Sequence, residues 1–200
     1  MKYTQIGLIA LFAVSLAPFL PGNTFQQLDI EMLKFINLHR VRCLDVFFIA
    51  VSNSVTYVCI ATLVLLMSVK TWRRFLPYFI VSYLAACIVS NVLKFSVHRI
   101  RPFVTYHFIE KLSVGGSPSF PSGHTTDAFV IAVAVGMVSG RWYMIPWALL
   151  VAYSRMCLGV HYPSDVLAGA VIGCLAAVLC YTQRGPVAGL IKCRMIQNSF

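Results

Sequence analysis

Three short polar clusters interrupt an otherwise apolar sequence, and their side chains are of the types that bind and transfer phosphoryl groups. In chain order the clusters read KFSVHRIRP at 94–102, PSGH at 121–124 and SRMCLGVHYPSD at 154–165. A single arginine, histidine or Pro-Ser-Gly turn is more often structural than functional. The combination of cations, histidines, a carboxylate and an anion-binding turn, however, indicates one site for phosphate chemistry.

Basic side chains and a helix start would supply the charge that holds a phosphate group. Lys94, Arg101 and Arg155 would repel one another if they converged without an anion, and arginine binds phosphate through paired hydrogen bonds. Ser122 and Gly123 precede an apolar helical segment, whose free N–H groups and positive dipole end attract anions. Gly123 permits close approach of the backbone, and the hydroxyl of Ser122 can donate a further hydrogen bond.

Two histidines and one carboxylate could perform the reaction itself. His161 and Asp165 are four residues apart with Pro163 between them, and proline favours the first turn of a helix. A carboxylate bonded to one ring nitrogen fixes the tautomer and leaves the other nitrogen free to attack phosphorus. His124 can then protonate the departing oxygen as a general acid. We assign no role to the neighbouring Arg99.

The composition indicates that a membrane must position these residues. Of the 200 residues, 59% are hydrophobic and 11% are charged, whereas soluble domains carry about 25% charged residues. The apolar segments are continuous rather than alternating, which favours helices over barrel strands. We therefore predict an all-α, polytopic membrane helical bundle in which residues 1–200 form a single membrane-embedded domain. The net charge of +10 lies mostly beside apolar segments, so we expect lipid and no nucleic acid as a partner.

Six transmembrane helices are predicted, because about 20 apolar residues cross a bilayer. The predicted spans are 6–20, 46–69, 75–93, 124–139, 142–160 and 164–183. The first could instead be a signal peptide, but no clear small-residue cleavage site follows it, and a retained helix is favoured. Gly136/Gly140 and Gly169/Gly173 give G-x-x-x-G spacings that allow close helix packing.

A further amphipathic helix is predicted at residues 25–38. Its apolar residues, among them Phe25, Met32 and Phe35, recur at helical spacing with polar residues between them. Such a helix can lie in the membrane interface, pack on the bundle, or do both.

The predicted topology brings the three polar clusters to one membrane face. No span separates the first cluster from the second, and a hairpin of two spans separates the second from the third. A helical hairpin returns to the face it left, so all three clusters lie at neighbouring helix ends. Counting basic residues hardly orients the bundle, but the acidic residues favour termini in the cytoplasm.

These motifs resemble those of the type 2 phosphatidic acid phosphatase superfamily. That pattern is Lys, six residues, Arg-Pro; then Pro-Ser-Gly-His; then Ser-Arg, five residues, His, three residues, Asp. The sequence matches every fixed position, namely Lys94, Arg101, Pro102, Pro121, Ser122, Gly123, His124, Ser154, Arg155, His161 and Asp165. So many positions with the correct internal spacing make a specific signal.

The resemblance implies a membrane lipid phosphatase with a phosphohistidine intermediate. His161 would attack phosphorus, Asp165 would orient His161, and His124 would protonate the leaving group and then activate water. The implied phosphate-binding residues are Lys94, Arg101, Ser122, Gly123 and Arg155. No metal or other cofactor is implied, and the seven cysteines include no C-x-x-C pair.

Three alternatives use the same motifs. A lipid phosphotransferase would pass the phosphate to a second lipid instead of water. Vanadium haloperoxidases share the motifs but are soluble, and a non-catalytic lipid-binding protein would be expected to carry a damaged motif.

The substrate is less constrained than the reaction. The small size and the short loop 103–120 resemble bacterial members, which favours envelope lipids. Undecaprenyl pyrophosphate is preferred, with lipid A phosphate and phosphatidylglycerol phosphate close behind and phosphatidic acid also a candidate. Phe103, Tyr106, Phe108 and Ile109 could line the lipid tail. We expect the inner (cytoplasmic) membrane, with the active site facing the periplasm or exterior; the oligomeric state stays open.

Overall fold

The regular structure of the described chain consists of helices, joined by turns and by one longer connection after Thr105. The computed structural model describes residues 2–17, 24–113, 115–116 and 118–197, and this part contains no strand. Its α-helices are α1 (Lys2–Ser15), α2 (Thr24–Leu38), α3 (Asp45–Ser68), α4 (Leu76–Val97), α5 (Pro102–Thr105), α6 (Gly123–Ser139), α7 (Ile145–Cys157) and α8 (Pro163–Gln197). Two short 3-10 helices, Arg42–Leu44 and Arg73–Phe75, lead into α3 and α4. The predicted all-α fold is confirmed.

Each predicted span overlaps a helix, with residues 18–20 of the first span lying outside the described residues, and several helices have the length and apolarity to cross a bilayer. In the described residues these are Arg42–Ser68, Arg73–Thr105 and Pro163–Thr182, with Gly123–Ser139 as a shorter apolar helix. Only 28% of the most apolar windows of the first two is buried inside the protein. Apolar helices that bury so little of their surface against protein fit a lipid surrounding. The protein is therefore a multi-pass membrane protein, and the count of six spans stays a prediction.

Helix α6 forms the centre of the bundle, packed against α4, α7 and α8. A Cβ atom at Gly169 would lie 2.6 Å from the carbonyl oxygen of Ser122, and one at Gly173 would lie 2.6 Å from that of Thr126. Glycine is therefore required where α8 crosses α6, which is the close packing that the second G-x-x-x-G spacing predicts.

The other G-x-x-x-G spacing has a different function. Gly140 ends α6 in the left-handed conformation, with φ of 69°, and no atom lies within 4 Å of its Cβ position. Gly136 instead makes room for the ring of Trp142, which would approach a Cβ atom to 2.5 Å. The prediction that another helix packs closely against Gly136 and Gly140 is wrong, because the chain turns at Gly140 and folds Trp142 back onto α6.

Helix α2 confirms the predicted amphipathic helix and shows which face is turned inward. Phe25, Met32 and Phe35 are 54%, 55% and 63% exposed. The buried residues of α2 are Leu33 and, against expectation for an acidic side chain, Asp29. The apolar stripe thus faces away from the bundle, where a membrane interface would cover it, and the inward face contains a carboxylate.

Candidate active site

The ends of four helices meet where the polar clusters were predicted to converge. Each of the eight predicted site residues lies at such an end or in an adjoining turn. Lys94 is in the last turn of α4, and Arg101 directly precedes α5. Ser122 is the N-cap of α6, and Gly123 and His124 are in the first turn of that helix. Arg155 is in the last turn of α7, His161 lies between α7 and α8, and Asp165 is in the first turn of α8.

His161 stands between a carboxylate and a guanidinium group. Its Nδ1 lies 3.6 Å from Oδ2 of Asp165, and its Nε2 lies 3.3 Å from Nη1 of Arg101. Arg101 is fixed in turn by a 3.0 Å hydrogen bond that it donates to the carbonyl oxygen of Val160. The ring is therefore flanked by an acceptor on one side and by a donor for an anion on the other.

The protonation of His161 follows from its surroundings. Its side chain is 1% exposed. Burial lowers its pKa to about 3, with Asp165 opposing the shift and the cations of Arg155 and Arg101 adding to it. The imidazole is neutral at physiological pH, so one ring nitrogen has a free lone pair.

The start of α6 lies beside the cation of α4. A Cβ atom on Gly123 would lie 3.6 Å from Nζ of Lys94. His124 is partly exposed and experiences the charges of Arg155, Lys94 and Arg101. The turn before α6 is tied to the third cluster, because the backbone N–H of Ser122 donates to the carbonyl oxygen of Asp165 at 3.0 Å. Backbone N–H groups, a cation and a histidine thus share one partly open part of the site.

Arg155 forms the buried wall of this part. Its side chain is 1% exposed and donates hydrogen bonds to the hydroxyls of Ser52 on α3 and Ser113 in the loop after α5. Its Nε is buried, and no partner for it is found within the described residues. A buried guanidinium with an unused donor costs free energy unless an anion uses it.

The carboxylate of Asp165 is held by residues that the sequence did not identify. Arg99 donates from Nη1 to Oδ1 at 2.7 Å. Oδ2 accepts from Oγ of Ser119 at 2.5 Å and from the backbone N–H of Tyr162 at 2.9 Å. Arg99 also pairs with Asp29 of α2 at 2.6 Å. One signal could have found this network: the chain has only six acidic residues against a net charge of +10, so a buried acid must pair with a cation.

The aromatic loop predicted to line a lipid tail is divided between two roles. Ile109 is 5% exposed and packs with Leu33 of α2 and Tyr162. It fixes the loop to the bundle, so its expected contact with a tail is wrong. Phe108 is 42% exposed, and the ring of Phe103 lies 4.7 Å from Nζ of Lys111. Of the proposed lining residues, the exposed Phe108 and the half-buried Phe103 and Tyr106 remain available to a lipid.

The sequence between 75 and 187, more than half of the chain, matches the PAP2 superfamily model. The chain belongs to the PAP2 superfamily. This confirms the resemblance to type 2 phosphatidic acid phosphatases on which the site residues were assigned.

Several PAP2 proteins of known name are similar over most of their length. The chain is 31% identical over 153 residues to the undecaprenyl-diphosphatase of Sulfolobus acidocaldarius, covering 72% of this chain and 73% of that protein. It is 29% identical over 170 residues to the lipid A 4'-phosphatase of Bacteroides thetaiotaomicron, covering 77% and 76%.

A solved PAP2 structure agrees with this fold. The crystal structure of the transmembrane PAP2-type phosphatidylglycerolphosphate phosphatase from Bacillus subtilis superposes with a TM-score of 0.76 at 25% identity. The match covers 92% of this chain and 98% of that one. The relatives are phosphatases of membrane lipids, and this PAP2 chain is accordingly a membrane lipid phosphatase.

Proposed function

We propose that the chain hydrolyses a lipid phosphate through a covalent phosphohistidine on His161, without a metal ion. The observation that carries this proposal is the placement of the neutral imidazole of His161 between the carboxylate of Asp165 and the guanidinium of Arg101. Arg101 would bind a phosphoryl oxygen and so bring phosphorus against Nε2. Asp165 would stabilise the positive charge that develops on the ring as the N–P bond forms.

The first step transfers the phosphoryl group to the enzyme. Nε2 of His161 forms a bond to phosphorus while the bond between phosphorus and the leaving oxygen breaks. His124 donates its proton to that oxygen, which departs as an alcohol or, from a pyrophosphate, as a phosphate monoester. Lys94, Arg155, Ser122 and the N–H groups at Gly123 would hold the remaining oxygens.

The second step returns the enzyme to its starting state. Water attacks phosphorus and gives a proton to His124, the N–P bond breaks, and inorganic phosphate leaves. His161 is again neutral, as its burial favours.

The positive charge of the site supports metal independence. Lys94, Arg101 and Arg155 supply the charge that Mg²⁺ supplies in many phosphoryl-transfer enzymes. Within the part of the chain that the structure describes, no group of three or more His, Cys, Asp or Glu side chains is arranged to hold a metal ion. We expect full activity in excess EDTA.

For the substrate we propose an envelope lipid, first of all undecaprenyl pyrophosphate. Support comes from the undecaprenyl-diphosphatase among the relatives. Lipid A phosphate and phosphatidylglycerol phosphate follow, supported by the names of the other two relatives. We propose the cytoplasmic membrane as the location, with the active site on its outer side.

The test is phosphate release by the detergent-purified protein in EDTA against a panel of these lipids, with His161→Ala as the blank. Release from one lipid well above the rest would support the proposal and identify the substrate. If His161→Ala were as active as the wild type, the nucleophile would be wrong. Release only after Mg²⁺ is added would contradict the metal-free mechanism. Transfer of phosphate to an added acceptor lipid, with no release to water, would replace the hydrolase by a phosphotransferase.

A further inference from the structure

Asp29, a buried carboxylate on the amphipathic helix α2, is linked to the proposed catalytic pair through one intervening side chain, that of Arg99. We propose that Asp29 is a positioning residue that fixes Asp165, and through it His161, by way of Arg99 and Ser164. This inference rests on the proposed function, because it concerns the orientation of the same histidine. The hydrogen bonds of Asp29 go to Arg99 and Ser164.

Asp29 uses both of its oxygens to hold the start of α8. Oδ1 accepts the backbone N–H of Ser164 at 2.9 Å. Oδ2 accepts the hydroxyl of Ser164 at 2.6 Å and Nη2 of Arg99 at 2.6 Å. A carboxylate at a helix N-terminus satisfies an otherwise unpaired N–H group and interacts favourably with the helix dipole. α2 thus provides, from far away in the sequence, the cap for the first turn that contains Asp165.

Arg99 joins the two carboxylates. One guanidinium nitrogen binds Asp29 and the other donates to Oδ1 of Asp165 at 2.7 Å and to Oγ of Ser164 at 2.7 Å. The guanidinium carbon lies 3.8 Å from the centre of the Tyr162 ring, which covers its face. The Asp29 and Asp165 side chains are 4% and 0% exposed, so water does not compete for these bonds.

Because Arg99 uses one nitrogen for Asp29 and the other for Oδ1 of Asp165, Oδ2 of Asp165 stays available to interact with His161. That oxygen faces Nδ1 of His161 and accepts from Ser119. Without Asp29, both nitrogens of Arg99 could engage Asp165, because paired arginine–carboxylate contacts are the stronger geometry. The carboxylate would then rotate away from His161.

Charge leads to the same conclusion. Asp29, Arg99 and Asp165 together have a net charge of −1, which faces a ring that becomes positive during phosphoryl transfer. Neutralising Asp29 reduces that net charge to zero in a buried place where charges act strongly. We therefore expect loss of Asp29 to slow formation of the phosphohistidine and to leave phosphate binding intact.

The deciding experiment compares Asp29→Asn with Asn37→Ala in the detergent-purified protein. Asn37 is a matched control, since it also ties α2 to the bundle, by a 3.1 Å bond to the carbonyl oxygen of Met156, and touches none of the acids above. Farnesyl pyrophosphate and dioctanoyl phosphatidic acid are the probes. Substitution of groups that orient metal ligands costs about 10- to 100-fold, and we take the same magnitude for a group that orients a nucleophile. We expect a fall of that size in kcat for Asp29→Asn, with KM and inhibition by inorganic phosphate changed less than about twofold.

A second variant covers the case in which Asp29→Asn does not fold. Arg99→Lys keeps the positive charge but lacks the planar guanidinium whose two nitrogens hold the two carboxylates in fixed positions, and it should give the same fall in kcat. As a separate readout, the ¹⁵N signals of His161 should shift in both variants and stay unchanged in Asn37→Ala.

The outcomes separate this inference from the proposed function. An inactive His161→Ala together with a fully active Asp29→Asn would overturn the positioning role alone. Equal losses in Asp29→Asn and Asn37→Ala would also overturn it, because they would reflect only the docking of α2. An active His161→Ala would overturn the proposed function instead.

Discussion

The carboxylate of Asp165 lies 3.6 Å from Nδ1 of His161 and is held by other donors at shorter distances. Ser119 and the backbone N–H of Tyr162 both donate to the oxygen that faces the histidine, at 2.5 and 2.9 Å. The position of this carboxylate is therefore set by the fold before it acts on the ring. Such preorganisation avoids a reorganisation cost when charge develops on His161.

Replacing Asp165 by asparagine should remove this support while leaving the shape of the side chain. The amide cannot accept from Arg99, Ser119 and Tyr162 and also stabilise a positive imidazole, since one of its two atoms is a donor. We expect kcat to fall by about 100-fold or more, because the tautomer and the charge of His161 both lose their support. Steady-state kinetics checks this prediction.

The control for this variant is phosphate binding. Inorganic phosphate should inhibit Asp165→Asn about as well as it inhibits the wild type, because Lys94, Arg101 and Arg155 are untouched. A loss confined to binding, with kcat unchanged, would show that Asp165 belongs to the phosphate pocket instead.

The lowered pKa of His161 leads to a pH prediction. Burial lowers this pKa to about 3, whereas an unfolded chain titrates near ~6.5. Between these values the unfolded state binds the extra proton, so the contribution of His161 to stability is complete above about pH 6.5 and is lost as pH falls toward 3. Burial is the main cause of the neutral ring; of the charged groups that act on it, Asp165 opposes this effect, whereas Arg155 and Arg101 add to it.

The measurement is a titration of ¹⁵N-labelled histidine side chains in detergent, with His161→Gln to assign the signals. His161 should remain neutral at pH 5 in these spectra. A midpoint for His161 at or above about 6.5 would show that the ring is charged where a nucleophile must be neutral.

The sequence predicted where the proposed site residues lie in the fold, because they stand at helix ends. Once consecutive apolar segments alternate in direction, 94–102, 121–124 and 154–165 must lie at the same face, and this follows from segment lengths alone. Most helices begin and end within a few residues of the predicted limits for the same reason, but α1 spans Lys2–Ser15 instead of 6–20, and α8 continues to Gln197 instead of ending at 183.

The pairing of Arg99 with Asp29 could not be predicted in this way. It joins residues 70 positions apart and depends on how α2 rotates about its own axis. The apolar stripe of α2 indicated a membrane-facing side, but amphipathicity does not say which polar residue of the opposite side meets which partner. The roles of Gly136 and Gly140 were missed for a similar reason, since spacing alone does not show where a helix ends.

The loop after α5 provides a prediction with a built-in control. A Cβ atom at Gly115 would lie 2.9 Å from Nη1 of Arg101, whereas no atom lies within 4 Å of the corresponding position at Gly116. Gly115→Ala should displace the guanidinium from phosphate and raise KM, by about 10-fold if one charged hydrogen bond is lost. Gly116→Ala should behave like the wild type, and steady-state kinetics on both variants checks the pair.

Two results would contradict this interpretation. Equal effects of the two alanines would mean that loop flexibility, rather than contact with Arg101, matters. Normal kinetics of Gly115→Ala would mean that Arg101 moves without cost, and its role in holding phosphate would then be in doubt.

The orientation of the bundle can be tested with one cysteine at each end. Gly116 is exposed and lies in the loop on the active-site side, and Thr71 is exposed in the turn between α3 and α4 at the opposite end. Cys43 is exposed and would react by itself, so the background is Cys43→Ser. If the active site faces the exterior, an impermeant maleimide added to intact spheroplasts should label Gly116→Cys, and it should label Thr71→Cys only after permeabilisation.

Labelling is measured by mass spectrometry of the peptide that contains the introduced cysteine, so the remaining cysteines do not contribute to the signal. A cytosolic thiol protein in the same sample reports whether the membrane stayed closed. Labelling of Thr71→Cys and not of Gly116→Cys in closed spheroplasts would invert the topology. The phosphate pocket would then open to the cytoplasm, and a substrate presented only at the outer surface would no longer reach it.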